Sequence, residues 1–208
     1  MTDTAPNLPA SAPANFQFEI YAGGLAAEAP KLPVSVAGLE QRAREVMSAE
    51  AFGYVAGGAG AERTMKANLE AFEHWQIVPR MLRDVSVRDL STSVLGTAMP
   101  APVMLAPVGV QSIVHAEGEL AVGRAAAAQG IPVILSTAAS HTMEQVADVM
   151  GEASRWYQLY WPKERELAAS FIARAADAGY GALVVTLTVQ LIERAKSFDF
   201  STLFSKGD

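Results

Sequence analysis

The sequence contains no cysteine, and that absence removes disulfide frameworks, thiolate metal sites and cysteine nucleophiles from consideration. Basic residues are scarce: 16 Lys and Arg stand against 22 Asp and Glu, a formal net charge of -6. A nucleic-acid partner needs a basic face to meet phosphate, so none is expected. No run of about 18 apolar residues exists, so no membrane span or membrane partner is expected. The first 15 residues carry no Lys or Arg and do not resemble a secretory signal. With the missing cysteine, this fits a reducing, cytoplasmic setting. Only three histidines occur, His74, His115 and His141, and none has a partner at metal-ligand spacing, so no metal centre is expected.

What is present reads as an ordinary globular protein: 50% hydrophobic and 18% charged residues over a length of 208, enough for a buried core and one or two domains. Residues 1–15, with Pro6, Pro9 and Pro13 among Ala, Ser and Asn, read as a disordered lead-in. A helical face follows Val36 through Leu39, Ala43, Val46 and Met47, and a shorter one joins Met65, Leu69 and Phe72. Between them, Gly57-Gly58-Ala59-Gly60-Ala61-Glu62 tempts a nucleotide-loop reading. It follows a helical pattern rather than a strand, so a helix terminus is the better reading. Residues 16–100 are thus expected to form an N-terminal helical cap.

After Pro100 short apolar runs alternate with helical patterns, the signature of βα units around a parallel sheet. The runs are Val103 to Ala106, Val133 to Leu135, Trp156 to Tyr160 and Ala182 to Val185. Thr142 and Gln145 form a candidate capping box for the second helix, and Gly179 sits where a helix C-cap belongs after the third. The runs begin roughly 25 to 30 residues apart, close to the repeat of an eight-fold βα barrel of about 250 residues. Only four units are legible before Leu187, so residues 101–187 are expected to be the first half of a TIM barrel and 188–208 a divergent tail. An open flavodoxin-like sheet is the rival, but Pro107-Val108-Gly109-Val110 is a poor phosphate turn for it.

Barrels build their sites at the C-terminal ends of the strands. There lie Pro107 to Gly109, then Ser136 and Thr137, then Gln158 and Tyr160, then Thr186. These offer backbone amides, hydroxyls, an amide and a phenol, neutral groups suited to the edge of an aromatic, hydrogen-bonding cofactor such as a flavin. Polar groups at strand ends are also common in any such barrel. His115, just ahead of Glu117 and Glu119, reads as a residue at the start of a helix.

At these residues the sequence resembles the FMN-dependent α-hydroxy-acid oxidase and dehydrogenase family, especially its lactate 2-monooxygenase branch. The resemblance runs from Phe18 to Leu187. It is carried by Tyr54 to Gly60, Asn68 to Phe72, Pro79 to Leu82, Asp89 to Thr92, Leu105-Ala106-Pro107, His115 to Glu119, Leu135-Ser136 and Gln158-Leu159-Tyr160, in that order. It implies FMN as cofactor and a small 2-hydroxy acid such as lactate as substrate, oxidised to the 2-oxo acid or its decarboxylated product, with homo-oligomeric full-length relatives. It further implies that Pro107, Val108 and Gly109 lie beside the flavin and that Ser136, Gln158 and Thr186 hydrogen-bond its ring. Tyr21 looks like the tyrosine that meets the substrate carboxylate, and Tyr160 like the one near the hydroxyl-bearing carbon. Beyond Leu187 the pattern departs: Thr188 replaces an aspartate, and Arg194 falls at a substrate-binding arginine only if one residue is deleted.

The family's histidine base and its phosphate-binding loops have no match, so no catalytic residue is expected and FMN binding is expected to be weak. A truncated, non-catalytic fragment, at most a weak ligand-binding or self-associating module, is the alternative.

Overall fold

The computed structural model describes residues 13–187, with side chains described from residue 17. The chain divides into two compact units, residues 1–72 and 73–208. The first unit is helical: α1 (Pro13–Leu25), α2 (Val36–Val46), α3 (Ala49–Ala56) and α4 (Arg63–Glu70), running on into a 3-10 turn at Ala71–His74. α1 thus begins inside the stretch read as a lead-in. Serine caps start two of these helices, Ser35 accepting from the Gly38 amide and Ser48 from the Ala51 amide. Gly57 closes α3 as its C-cap, the terminus expected of the glycine-rich run. α3 itself was not anticipated as a separate helix. Arg44 stacks over the Phe52 ring at 4.2 Å.

The second unit opens with an antiparallel hairpin, β1 (Thr92–Val94) and β2 (Thr97–Met99), which the periodicity does not reveal. Its turn is Leu95-Gly96, with φ of 49° and 77°. Two successive positive φ values make the tight hairpin turn that usually carries Asn-Gly, and a leucine in the first place hides the signal.

The βα units follow as expected. Three strands, β3 (Val133–Leu135), β4 (Arg155–Tyr160) and β5 (Leu183–Thr186), form a parallel sheet in sequential order. The first of the four expected strands, Val103 to Ala106, reduces to a parallel bridge at Leu105, whose amide donates to the Pro132 carbonyl and whose carbonyl accepts from Ile134. Pro102 and Pro107 on either side have no N–H to extend that ladder. The order from Leu105 through β5 is that of a barrel opening, not of a flavodoxin-like sheet, where a later strand crosses back.

α5 (Gly118–Gln129), α6 (Met143–Met150) and α7 (Arg165–Asp177) connect the strands. The Thr142–Gln145 capping box is present, and Gly179 adopts φ 74° just past α7. Strand alternation then sorts the side chains. Val133, Leu135, Tyr157 and Leu159 join one cluster with Met143, Val146, Met150, Ala168, Ile172 and Ala175 from the helices. Leu159 and Ala168 are fully buried, the alanine letting α7 approach β4 closely. Burying a leucine side chain contributes about 1.5–3 kcal/mol. The alternate residues Ile134, Ser136, Trp156, Gln158, Tyr160, Val184 and Thr186 therefore face away from the helices. At the strand N-terminal ends the hairpin meets this face, the Trp156 indole donating to Thr97 Oγ1 at 2.9 Å. Among the described residues no helix is long and apolar enough to cross a membrane.

Candidate functional site

The strand ends bring three of the expected residues into one hydrogen-bonded row. Ser136 Oγ donates to Gln158 Oε1 at 3.2 Å, and Gln158 Nε2 donates to Thr186 Oγ1 at 3.0 Å. Parallel pairing sets this alignment: Leu135 lies opposite Tyr157, which brings Ser136 level with Gln158, while Thr186 lies opposite Tyr160, one step beyond on the same face and within reach of the Gln158 amide. Ser136 and Gln158 are buried, at 5% and 1% exposure, and a buried amide needs its partners.

Thr137, also among the expected strand-end groups, completes the arrangement as a bridge between β3 and β4. Its amide donates to Gln158 Oε1, its hydroxyl donates to the Gln158 carbonyl, and the same oxygen accepts from the Tyr160 amide at 3.0 Å. One threonine thus continues the pairing of β3 with β4 after the backbone ladder ends. It fixes the position of Tyr160, whose half-exposed side chain lies one step beyond Gln158 on the same face.

Pro107, Val108 and Gly109 form the turn after the Leu105 bridge. Gln111 Nε2 donates to the Val108 carbonyl, and the Val110 amide donates to Ala138 O at 2.9 Å, tying this turn to the one after β3. Among the described residues the Val108 and Gly109 amides meet no protein acceptor. Tyr21 lies on α1 in the first unit and is exposed. Arg194 lies outside the described residues. His115 is exposed and its Nδ1 accepts from the Glu117 amide, as suits a residue at the start of a helix.

Glu119 is the buried charge that local pattern did not reveal. It is 2% exposed, and its carboxylate accepts from the Gln111 and Ser140 amides and from His141 Nδ1. Burial pushes its carboxyl up. The hydrogen bonds from His141, Ser140 and Gln111 more than offset this and hold it below the usual carboxylate range. The sequence signals for it were an acidic residue in the first turn of a helix, which by itself means favourable dipole placement, and its place in the His115 to Glu119 segment of the resemblance, which assigns it no role.

Chemically the row is neutral. Gln158 keeps a second amide hydrogen and Thr186 its hydroxyl hydrogen, beside two free backbone amides. That donor set fits the edge of an uncharged, acceptor-bearing aromatic ring such as a flavin, and supplies no cation to a phosphate.

Two curated oxidases and their solved relatives match much of this chain. L-lactate oxidase of Lysinibacillus sphaericus is 42% identical over 168 residues, 81% of this chain and 43% of that protein. 4-Hydroxymandelate oxidase of Amycolatopsis orientalis is 40% identical over 161 residues, 77% of this chain and 44% of that protein. Among solved structures, mandelate oxidase with (S)-4-hydroxymandelic acid superimposes with a TM-score of 0.71 at 39% identity, over 76% of this chain and 44% of that one. A lactate oxidase of Pediococcus acidilactici gives 0.73 at 32% identity, over 81% and 48%. The chain therefore spans a little under half the length of the relatives it matches. Residues 43–206 match the family model described as FMN-dependent dehydrogenase, and the chain belongs to that family.

Proposed function

We propose that residues 101–187 supply the ring-facing part of an FMN site for oxidation of a small, lactate-like 2-hydroxy acid, and that residues 16–100, which precede them in the chain, serve as its N-terminal cap. The observation that carries this is the Ser136–Gln158–Thr186 row on the face of the sheet turned away from α6 and α7, with Tyr160 beside it. FMN, when bound, accepts the two electrons that leave the substrate's α-carbon. Gln158 and Thr186 direct their spare hydrogens at the ring edge, and the Val108 and Gly109 amides do so from the neighbouring turn. Tyr160, held by Thr137, offers its phenol to the substrate hydroxyl, while Tyr21 and Arg194 are assigned to the substrate carboxylate. His74, His115 and His141 are not assigned as the base, because His74 ends the 3-10 turn after α4, His115 is exposed at the start of α5, and the His141 ring is engaged by the Glu119 carboxylate. A positioned acid–base group typically contributes 10²–10⁴-fold, so the 208-residue polypeptide by itself is expected to turn over no 2-hydroxy acid.

The test is flavin titration of that polypeptide, read by fluorescence. Contacts made to the ring alone predict weak binding in which riboflavin and FMN differ by no more than about threefold, since roughly 1.4 kcal/mol is tenfold. Binding of FMN a hundredfold tighter than riboflavin, or lactate-dependent bleaching above the free-flavin background, would show that the site holds the phosphate or the base after all.

A further inference from the structure

The segment that carries Pro107 to Gly109 is tied to later parts of its unit by three hydrogen bonds, one of which runs through a buried side chain. Glu119 Oε1 accepts from the Gln111 amide at 3.2 Å and from the Ser140 amide at 3.0 Å, while Oε2 accepts from His141 Nδ1 at 2.9 Å. Gln111 belongs to the segment after the first strand position, and Ser140 and His141 to the segment after β3. All three bonds therefore run from a helix start to the two strand-end turns, and Glu119 is no part of the apolar cluster behind the sheet. Two shorter ties run alongside, Val110 amide to Ala138 O and Ser112 amide to Ser140 Oγ. The preceding residue is built for this closeness. Gly118 has φ 38°, and a Cβ there would stand 3.1 Å from the Ser112 nitrogen. The carboxylate also sits in the first turn of α5, where the helix dipole favours negative charge.

We propose that Glu119 is a positioning residue for the flavin: its buried carboxylate clamps residues 107–112 to residues 138–141 and so sets the Val108 and Gly109 amides in line with the Ser136–Gln158–Thr186 row. The inference rests on the flavin-facing reading above. Without the clamp, the turn keeps the Val110 amide bond to Ala138 O and the Ser112 amide bond to Ser140 Oγ, and loses the one tie that runs through a buried side chain. The row across β3, β4 and β5 is untouched, because none of its bonds involves Glu119. Glutamine in place of Glu119 keeps an oxygen for the two amides and offers a hydrogen to an unprotonated His141 Nδ1, whereas alanine keeps none of the three.

The experiment uses the 208-residue chain as wild type, Glu119→Ala and Glu119→Gln, followed by amide hydrogen exchange and by riboflavin titration. In Glu119→Ala, exchange at Val110 to Ser112 and at Ser140 should accelerate by about tenfold or more, while Leu159 and Ile172 keep their protection. Riboflavin affinity should fall by about tenfold and return to within about threefold in Glu119→Gln. Unchanged exchange in those turns overturns the proposal, as does a loosened turn with riboflavin affinity unaltered. If Glu119→Ala does not fold, the wild type decides: the Gln111 and Ser140 amides share one acceptor oxygen and must show matched protection, and clearly unequal protection counts against the clamp. If wild type binds no flavin, the flavin-facing reading fails, and the exchange result still judges the clamp.

Discussion

Among the described residues Gln158 is the least exposed of the buried polar side chains. Its side chain is nearly inaccessible, yet it accepts two hydrogen bonds and donates a third within the strand-end row. Leucine has nearly its volume and none of its polarity. Gln158→Leu would leave the Ser136 hydroxyl, the Thr137 amide and the Thr186 hydroxyl facing an apolar group. Unsatisfied buried groups cost about 1–3 kcal/mol each, tempered where water reaches them, so a loss of about 2–4 kcal/mol is expected by urea denaturation. Tyr160→Phe is the matched control, because its side chain is half exposed and the described bond at this residue runs through its backbone amide. Its stability should stay within about 0.5 kcal/mol of wild type. Equal stabilities for the two variants would mean that the row does not hold the strand ends together.

At the scale of elements, α6 is fastened at both of its ends to the segment just past α7. Tyr180 donates its hydroxyl to the Met143 carbonyl at the start of α6, and burial pushes that phenol above its ordinary range. At the other end Arg155 gathers the Gly151, Ala153 and Ala178 carbonyls, the orphan acceptors of both helix C-termini. A cleft of about 700 Å³ opens there, lined by Glu144, Asp148, Arg155, Arg174 and Asp177. It lies by the N-terminal end of β4, the side on which barrels spend residues on stability rather than on chemistry. Across it Arg174 grips Glu144 with two bonds of 2.8 and 2.9 Å, and this guanidinium holds the Glu144 carboxyl down at about 2, from an ordinary 4.5. Since the folded value is depressed, the stabilisation is complete above about pH 5 and is lost as pH falls toward 2. Both side chains are nearly half exposed, so the contribution is expected to be about 1 kcal/mol or less. Chemical denaturation of wild type and Glu144→Gln at pH 7 and pH 3 checks this: the difference should be present at the higher pH and shrink at the lower. A gap that widens in acid would contradict the assigned pair.

At the scale of the whole molecule, β5 pairs with β4 alone among the described residues, which leaves its other edge open. Leu183, Val184 and Val185 on that edge are only partly covered. Open apolar edges template pairing with another chain, so sedimentation velocity of the 208-residue polypeptide should show concentration-dependent association, and a single monomeric boundary across the micromolar range would argue against it. The parts of this fold that were legible in the sequence are those governed by local rules. The α6 capping box, Gly179 beyond α7 and the β3, β4 and β5 runs follow from periodicity and caps, within a residue or two. The hairpin escaped because Leu95 takes a conformation that leucine rarely adopts, and the first barrel strand shrank because neighbouring prolines withhold ladder donors. At the site, Ser136, Gln158 and Thr186 could be found because strand ends are where such barrels work. Glu119 could not be, since its partners His141 and Ser140 lie more than 20 residues along the chain and only folding brings them together.

The two-sided character of β4 bears on how this segment can change over generations. Tyr157 and Leu159 answer to the volume of the helices behind them, whereas Trp156, Gln158 and Tyr160 answer to hydrogen bonding and ligand shape in front. Substitutions can drift separately on the two sides, each filtered by its own criterion. Insertion or loss of a single residue offers no such freedom: it would send the tyrosine and leucine into the polar row and the glutamine into the apolar cluster. Lineages descended from this chain can therefore explore new side chains along β4 while its length stays frozen.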